Sequence, residues 1–163
     1  MLQKMPGKDG KRKQRIELLT VCIAAALVFI SDFFVKQYFL KNPSFQSVPV
    51  IKNILYISVV FNNGAAFGIL KGKTTFLVYV CILFLLLFFV NFAKEERRNK
   101  IFLISCGLII GGALSNLYDR IFIGYVVDYI DLRVWPVFNI SDSAITIGAC
   151  LLFLNEFMSP NRP

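Results

Sequence analysis

Apolar residues gather in four long runs, over residues 18–40, 75–92, 101–117 and 144–157, and polar or charged segments separate them. About twenty apolar residues wound as a helix are enough to cross a bilayer's hydrocarbon core. The pattern predicts four membrane spans, at about 17–38, 75–93, 101–118 and 141–158, the last of them short unless it begins near Asn139. Residues 41–73 differ in character. Pro43 and Pro49 break any long helix there, and Ile54, Tyr56, Ser58 and Val60 alternate with Leu55, Ile57, Val59 and Phe61, a β-like composition that predicts a small extramembrane β-rich subdomain. Asn62-Asn63-Gly64 is a turn signal, because Asn and Gly adopt positive φ cheaply. The small, apolar residues 65–70 that follow could lie along the membrane surface. Residues 121–138 read as a connecting segment carrying Asp128, Asp131 and Arg133. The whole chain, 1–163, reads as a single integral membrane domain, an all-α membrane protein with four transmembrane helices.

Composition agrees: 56% of the residues are hydrophobic and 17% charged, too apolar for an ordinary soluble domain. The net charge of +8 suggests a nucleic-acid partner until the cations are located. They collect in short segments between the runs, as the positive-inside rule expects, and no nucleic acid is implied. Residues 1–15 carry Lys4, Lys8, Lys11, Arg12, Lys13 and Arg15, and read as a cytoplasmic basic tail. A cleaved signal peptide is disfavoured, since the run behind the tail is long enough to span and has no small-residue cleavage site after it. With four spans both termini are then cytoplasmic, and residues 41–73 and 119–142 share the outer face. Lys41, Lys52, Lys71 and Lys73 weaken that bias without reversing it, because the tail and the charged turn at 94–100 are richer in cations.

The chain has no His, which excludes Ser-His-Asp and Cys-His mechanisms and any His metal site. Cys22, Cys81, Cys106 and Cys150 lie in different apolar runs without metal or disulfide spacing. Gly107 and Gly111, followed by Gly112 and Ala113, predict close helix packing.

Carboxylates beside such runs are costly unless paired, wet or protonated. Asp32 and Lys36 are four apart and share a helix face, either as an interfacial ion pair ending the span or as an inward pair supporting a polar site. Asp128 and Asp142 admit two readings as well. They could be interfacial caps, Asp142 in particular lying between Ser141 and Ser143 at a helix start. They could also be an aspartate pair sharing one proton, in which one member activates water and the other protonates a carbonyl oxygen. In that case the helix start favours Asp142 as base and Asp128 as acid. A transporter or proton relay using Asp32, Asp119, Asp128 and Asp142 is the alternative, and a non-catalytic anchoring protein a further one.

The sequence resembles the lipoprotein signal peptidases, the type II signal peptidases of bacteria. The resemblance rests on Asp32 and Lys36, the stretch from Asn62 to Gly68, the stretch from Gly111 to Arg120, Val126-Val127-Asp128-Tyr129 and Phe138-Asn139-Ile140-Ser141-Asp142-Ser143. It implies an aspartic endopeptidase of the cytoplasmic (inner) membrane that removes signal peptides from prolipoproteins, cutting before a diacylglyceryl-modified cysteine, with no cofactor. It assigns Asp128 and Asp142 as the catalytic dyad. Asn62, Gly64, Asn116, Asp119, Arg120 and Asn139 become residues shaping the site, and Asp32 with Lys36 a supporting pair. The extramembrane stretch becomes a β-rich cradle with a surface helix or flap, globomycin-type cyclic peptides are expected to bind beside membrane lipids, and a monomer is expected. Ser115, Phe33 and Ser141 depart from the family's usual Gly, Gln and Ala. Ser141 is expected to hydrogen-bond a dyad carboxylate and lower its pKa.

Overall fold

A computed structural model of the chain describes residues 7–64, 70–95 and 98–158. Among the described residues, four helices are long and apolar enough to cross a membrane. They are α1 (Lys8–Lys41), α2 (Thr74–Lys94), α3 (Lys100–Phe122) and α4 (Ile140–Phe157). Three strands, β1 (Val48–Ile51), β2 (Leu55–Asn62) and β3 (Val126–Asp131), form one antiparallel sheet in the order β1-β2-β3. The protein is mostly helical, and the stretch 65–69, expected to lie on the membrane surface, falls outside the described residues.

Helix α3 is the centre of the bundle. Its buried face includes Leu103, Cys106, Ile109, Ile110 and Ala113, and α1 and α4 pack on its two sides while α2 covers a third. The small residues expected to permit close packing do so. A Cβ on Gly107 would meet the backbone oxygen of Val21 at 2.8 Å, one on Gly111 would run into the backbone of Ala25, and one on Gly112 would meet the backbone oxygen of Ser141 at 2.5 Å. Glycines at these three points let α3 approach α1 on one side and the first turn of α4 on the other. The outward faces of α1, α2 and α4 are lined with exposed large apolar residues such as Leu27, Phe34, Leu83 and Phe153. In a membrane that surface meets lipid, where it costs nothing.

Three boundaries differ from the sequence reading. Helix α1 has 34 residues, about 50 Å at 1.5 Å per residue, so most of the segment read as a basic tail continues the first span as helix. Helix α3 runs to Phe122, five residues past the apolar run, because Asn116 and Asp119 turn inward to a polar cluster and need no water. Residues 126–131 are a strand rather than a plain connection. Gly124, at φ +91°, with the N–H groups of Ile123 and Gly124 both donating to the Asp119 carbonyl, ends α3 and turns the chain into β3. Past β3 the chain folds back, and Phe138 exchanges backbone hydrogen bonds with Ile130 before α4 begins.

At the opposite end of the bundle Arg98 donates to the carbonyls of Phe92, Ala93 and Glu95, satisfying the last turn of α2, and pairs with Glu17 of α1 at 3.5 Å.

Candidate active site

Strand β3 sorts its side chains by alternation. Val127 and Tyr129 face the helices, in a cluster with Phe39, while Val126 and Asp128 face a cavity of about 720 Å³. Antiparallel pairing sets Val60 against Asp128 and Asn62 against Val126, which brings Asn62 to the same face as Asp128. The cavity is lined from below by Asp142 and Ile145 of α4, from the sheet by Phe61 and Asn62, and at its sides by Lys71, Arg120 and Trp135.

Asp142 lies in the first turn of α4, whose N-cap is Asn139. The Asn139 side-chain oxygen accepts from the Asp142 N–H at 2.8 Å, and Asp142 Oδ2 accepts from the Asn139 N–H at 3.3 Å, a reciprocal capping box. The start that the Ser141-Asp142-Ser143 cluster suggested is therefore capped one residue before Ile140, by Asn139.

This cap begins a chain of fixed amide orientations. Because Asn139 Oδ1 is used by the Asp142 N–H, its Nδ2 must donate, and it does so to Asp128 Oδ1 at 2.8 Å and Asn116 Oδ1 at 3.1 Å. Asn116 Oδ1 also accepts from Lys36 Nζ at 2.9 Å, so Asn116 Nδ2 must donate, to Asp142 Oδ1 at 2.8 Å. On the far side Asn62 Oδ1 accepts from the Gly64 N–H at 2.9 Å, leaving Asn62 Nδ2 to donate to Asp128 Oδ2 at 2.9 Å. All four carboxylate oxygens of Asp128 and Asp142 thus face N–H donors, three of them side-chain amides whose direction is set by a third group and the fourth the Asn139 backbone. Asparagine suits this role because one end of its amide reads the frame while the other holds a carboxylate.

Burial, followed by the neighbouring Asp142 carboxylate, pushes the Asp128 pKa up to about 7, against the opposing bonds from Asn62 and Asn139. Burial and then the nearby Asp32 raise the Tyr129 phenol well above its ordinary value.

Beneath the cavity lies a second polar cluster. Lys36 Nζ contacts Asp32 Oδ2 at 2.7 Å and Asp119 Oδ2 at 2.9 Å, with all three side chains almost fully buried. Of the two readings of the Asp32–Lys36 pair, the inward one holds. Asp32 Oδ2 accepts also from Ser115 Oγ at 2.7 Å and Ser141 Oγ at 2.6 Å, and its Oδ1 from the Tyr129 hydroxyl at 2.8 Å. Asp119 Oδ2 accepts from the Val127 N–H at 3.2 Å, tying β3 to α3. Among the described residues no buried side-chain nitrogen or oxygen lacks a partner.

The expected role of Ser141 is corrected. Its hydroxyl goes to Asp32, not to Asp128 or Asp142, because successive helix residues point about 100° apart and, of Ser141 and Asp142, it is Asp142 that faces the cavity. Ser115, another of the departures, donates to the same oxygen. Phe33 stacks edge-on with Tyr118 on the outside of α1 and α3. Arg120 donates to the backbone oxygens of Asn116 and Gly64, each at 3.3 Å, and lines the cavity. Tyr129 was missed among the site-supporting residues. No local signal marks it, because residues 121–138 read as a connection; it is as part of strand β3 that alternation turns Tyr129 toward the helices and the Asp32 cluster.

Four spans, a small sheet at one end of the bundle and a carboxylate-lined cavity between them define a multi-pass membrane protein with a built polar site. The chain belongs to the signal peptidase II family: it matches the family described as "Signal peptidase (SPase) II" over residues 24–158. It is 42% identical over 135 residues to a lipoprotein signal peptidase of Halothermothrix orenii, covering 82% of this chain and 92% of that one. It is 39% identical over 160 residues to one of Chlorobium phaeobacteroides, covering 88% and 99%. A solved bacterial membrane enzyme superposes with a TM-score of 0.79 at 36% identity, covering 86% of this chain and 88% of that chain.

Proposed function

We propose that this protein is a membrane endopeptidase that removes the signal peptide from diacylglyceryl-modified prolipoproteins, cutting before the lipidated cysteine, with Asp128 and Asp142 as a two-aspartate acid–base pair. Family membership supports the activity and the substrate class. The observation that carries the mechanism is the pair itself: two carboxylates on one cavity, each oxygen held by an oriented amide or backbone N–H.

The environments divide the labour. Asp128, pushed up to about 7, can still carry a proton near neutral pH, while Asp142 sits at a helix N-terminus inside a capping box, where a negative charge is favoured. Asp142 takes a proton from water as its oxygen attacks the scissile carbonyl carbon, and Asp128 gives its proton to the carbonyl oxygen, yielding a neutral gem-diol. Collapse returns one hydroxyl proton to Asp128 and passes the proton on Asp142 to the leaving nitrogen. The peptide bond breaks and the pair regains its starting protonation.

The cavity's apolar walls at Val60, Phe61, Val126 and Ile145 suit small apolar residues before the cleavage point. The basic start of α1 supports cytoplasmic termini and a cavity at the extracytoplasmic face. Globomycin-type cyclic peptides would occupy the same cavity in a monomeric enzyme.

Purified protein incubated with a diacylglyceryl-modified prolipoprotein is expected to release the signal peptide, and Asp128→Asn and Asp142→Asn to abolish release. Cleavage retained by either variant overturns the dyad, and no cleavage by the parent protein overturns the activity in favour of an ion-relay or anchoring role.

A further inference from the structure

The lower polar cluster lies under the proposed dyad without lining the cavity, and it touches the dyad at one point. Lys36 is four-fifths of the way along α1 and fully buried, and its three short contacts, to Asp32, Asp119 and Asn116, account for its three protons. Two of those contacts are ion pairs. The third is to a neutral amide, which takes the last proton of the buried ammonium and ties the cluster to Asn116.

Asp32 has donors besides Lys36. The hydroxyls of Ser115, Ser141 and Tyr129, from α3, α4 and β3, all donate to it. Four elements of the fold meet at one carboxylate and fix the place of the ammonium beside it. What this frame delivers upward is a single N–H···O bond to Asn116 Oδ1.

Resting on the peptidase reading above, we infer that Lys36 is a positioning residue that acts through Asn116: its ammonium fixes the amide so that Nδ2, and not Oδ1, faces Asp142. With the amide reversed, a carbonyl oxygen would face the Asp142 carboxylate in place of a donor, and Asn139 Nδ2 would meet a second NH₂ group. Asn139 Nδ2 favours the same orientation, but it is shared with Asp128 Oδ1 at 2.8 Å and the Val127 carbonyl at 3.4 Å, whereas the ammonium brings a charge-assisted bond at 2.9 Å. Ser115 and Ser141 act one step further back, by holding Asp32 and with it the ammonium.

Removing Lys36 alone would leave two buried carboxylates facing each other, so the test replaces it together with one of them. Lys36→Met/Asp119→Asn keeps the cluster's net charge and leaves Asp32 with its three hydroxyl donors. With the full-length enzyme in detergent and a lipidated prolipoprotein peptide as substrate, kcat is expected to fall roughly 100-fold with KM changed by less than about threefold. In an Asn116→Ala background the same two substitutions are expected to lower kcat by less than about threefold, since the contact they act through is gone. A full loss persisting in that background, or no loss in the parent background, overturns the proposal.

A second variant leaves the lower cluster intact. Asn116→Asp keeps an oxygen for Lys36 but presents an acceptor to Asp142, and kcat is expected to fall by roughly 100-fold or more. Parent-like kcat for Asn116→Asp overturns the proposal whatever the Lys36 variant does. An inactive parent protein refutes the peptidase reading instead, and active parent protein with inactive dyad variants leaves that reading standing apart from this one.

Discussion

Asp128→Asn tests the electrostatics of the site through stability rather than through catalysis. In the folded protein the Asp128 pKa rises from 3.8 to about 7, with burial as the leading cause and Asp142 next. A carboxyl whose folded pKa lies above its unfolded one binds its proton more tightly when folded. Its contribution is therefore fully present below pH 3.8, and is lost as pH rises through about 7. The difference is about three pH units, and at 1.36 kcal/mol each the parent protein loses about 4 kcal/mol from this group between pH 4 and pH 8. Asparagine cannot ionise, so the variant escapes that loss. It has its own cost, since one end of the new amide is an NH₂ facing either Asn62 Nδ2 or Asn139 Nδ2, worth about 1–3 kcal/mol. That cost is the same at every pH and cancels in the comparison. The assay is thermal unfolding of both proteins in the same detergent from pH 4.5 to pH 8. The Tm of Asp128→Asn relative to the parent is expected to climb steadily with pH, at roughly 2–4 °C per kcal/mol for a chain of this length. Parallel Tm curves across the range would refute the claim that Asp128 keeps a proton in the folded site.

Two further substitutions test the frame. Gly112→Ala would press a Cβ against the Ser141 carbonyl at 2.5 Å, a backbone atom with no rotamer to change. It is expected to cost about 1–3 kcal/mol of stability and, by moving the first turn of α4 and Asp142 with it, to lower kcat about 100-fold, both measurable on one preparation by Tm and by turnover. Ser141→Ala removes one of four donors from Asp32 and is expected to cost about 1–2 kcal/mol. Its pH-rate profile should match the parent's, because the hydroxyl does not reach Asp128 or Asp142.

The spans were legible because lipid demands unbroken apolar runs, and β2 because Ile54 to Phe61 have a β-like composition. Strand β3 was not, for a physical reason: Val126, Val127, Asp128 and Tyr129 are all buried, one face by the cavity side and the other by α1. Covered on both faces, the strand carries no inside–outside alternation to read. The end of α3 was placed too early because polar Asn116 and Asp119 resemble an exit from the membrane, when their partners Lys36 and Val127 lie elsewhere in the chain. Spacing put Asp32 and Lys36 on one helix face, but Ser115, Ser141 and Tyr129 are 83 to 109 residues from Asp32. Nothing local in the chain announces that meeting. The resemblance named the dyad and its asparagines; the direction of each amide came only from the three-dimensional network.

The oriented asparagines have a consequence for ligand chemistry. Every oxygen of Asp128 and Asp142 already faces a donor from the protein side. On the two-aspartate mechanism proposed above, the pair offers the cavity lone pairs and one shared proton. A small molecule carrying a carbonyl or ether oxygen toward the pair competes for that single proton, whereas a secondary hydroxyl set between the two carboxylates can donate to one and accept from the other. Medicinal chemistry on this site should begin from alcohols and aminoalcohols, with apolar substituents cut to the walls formed by Val60, Phe61 and Ile145.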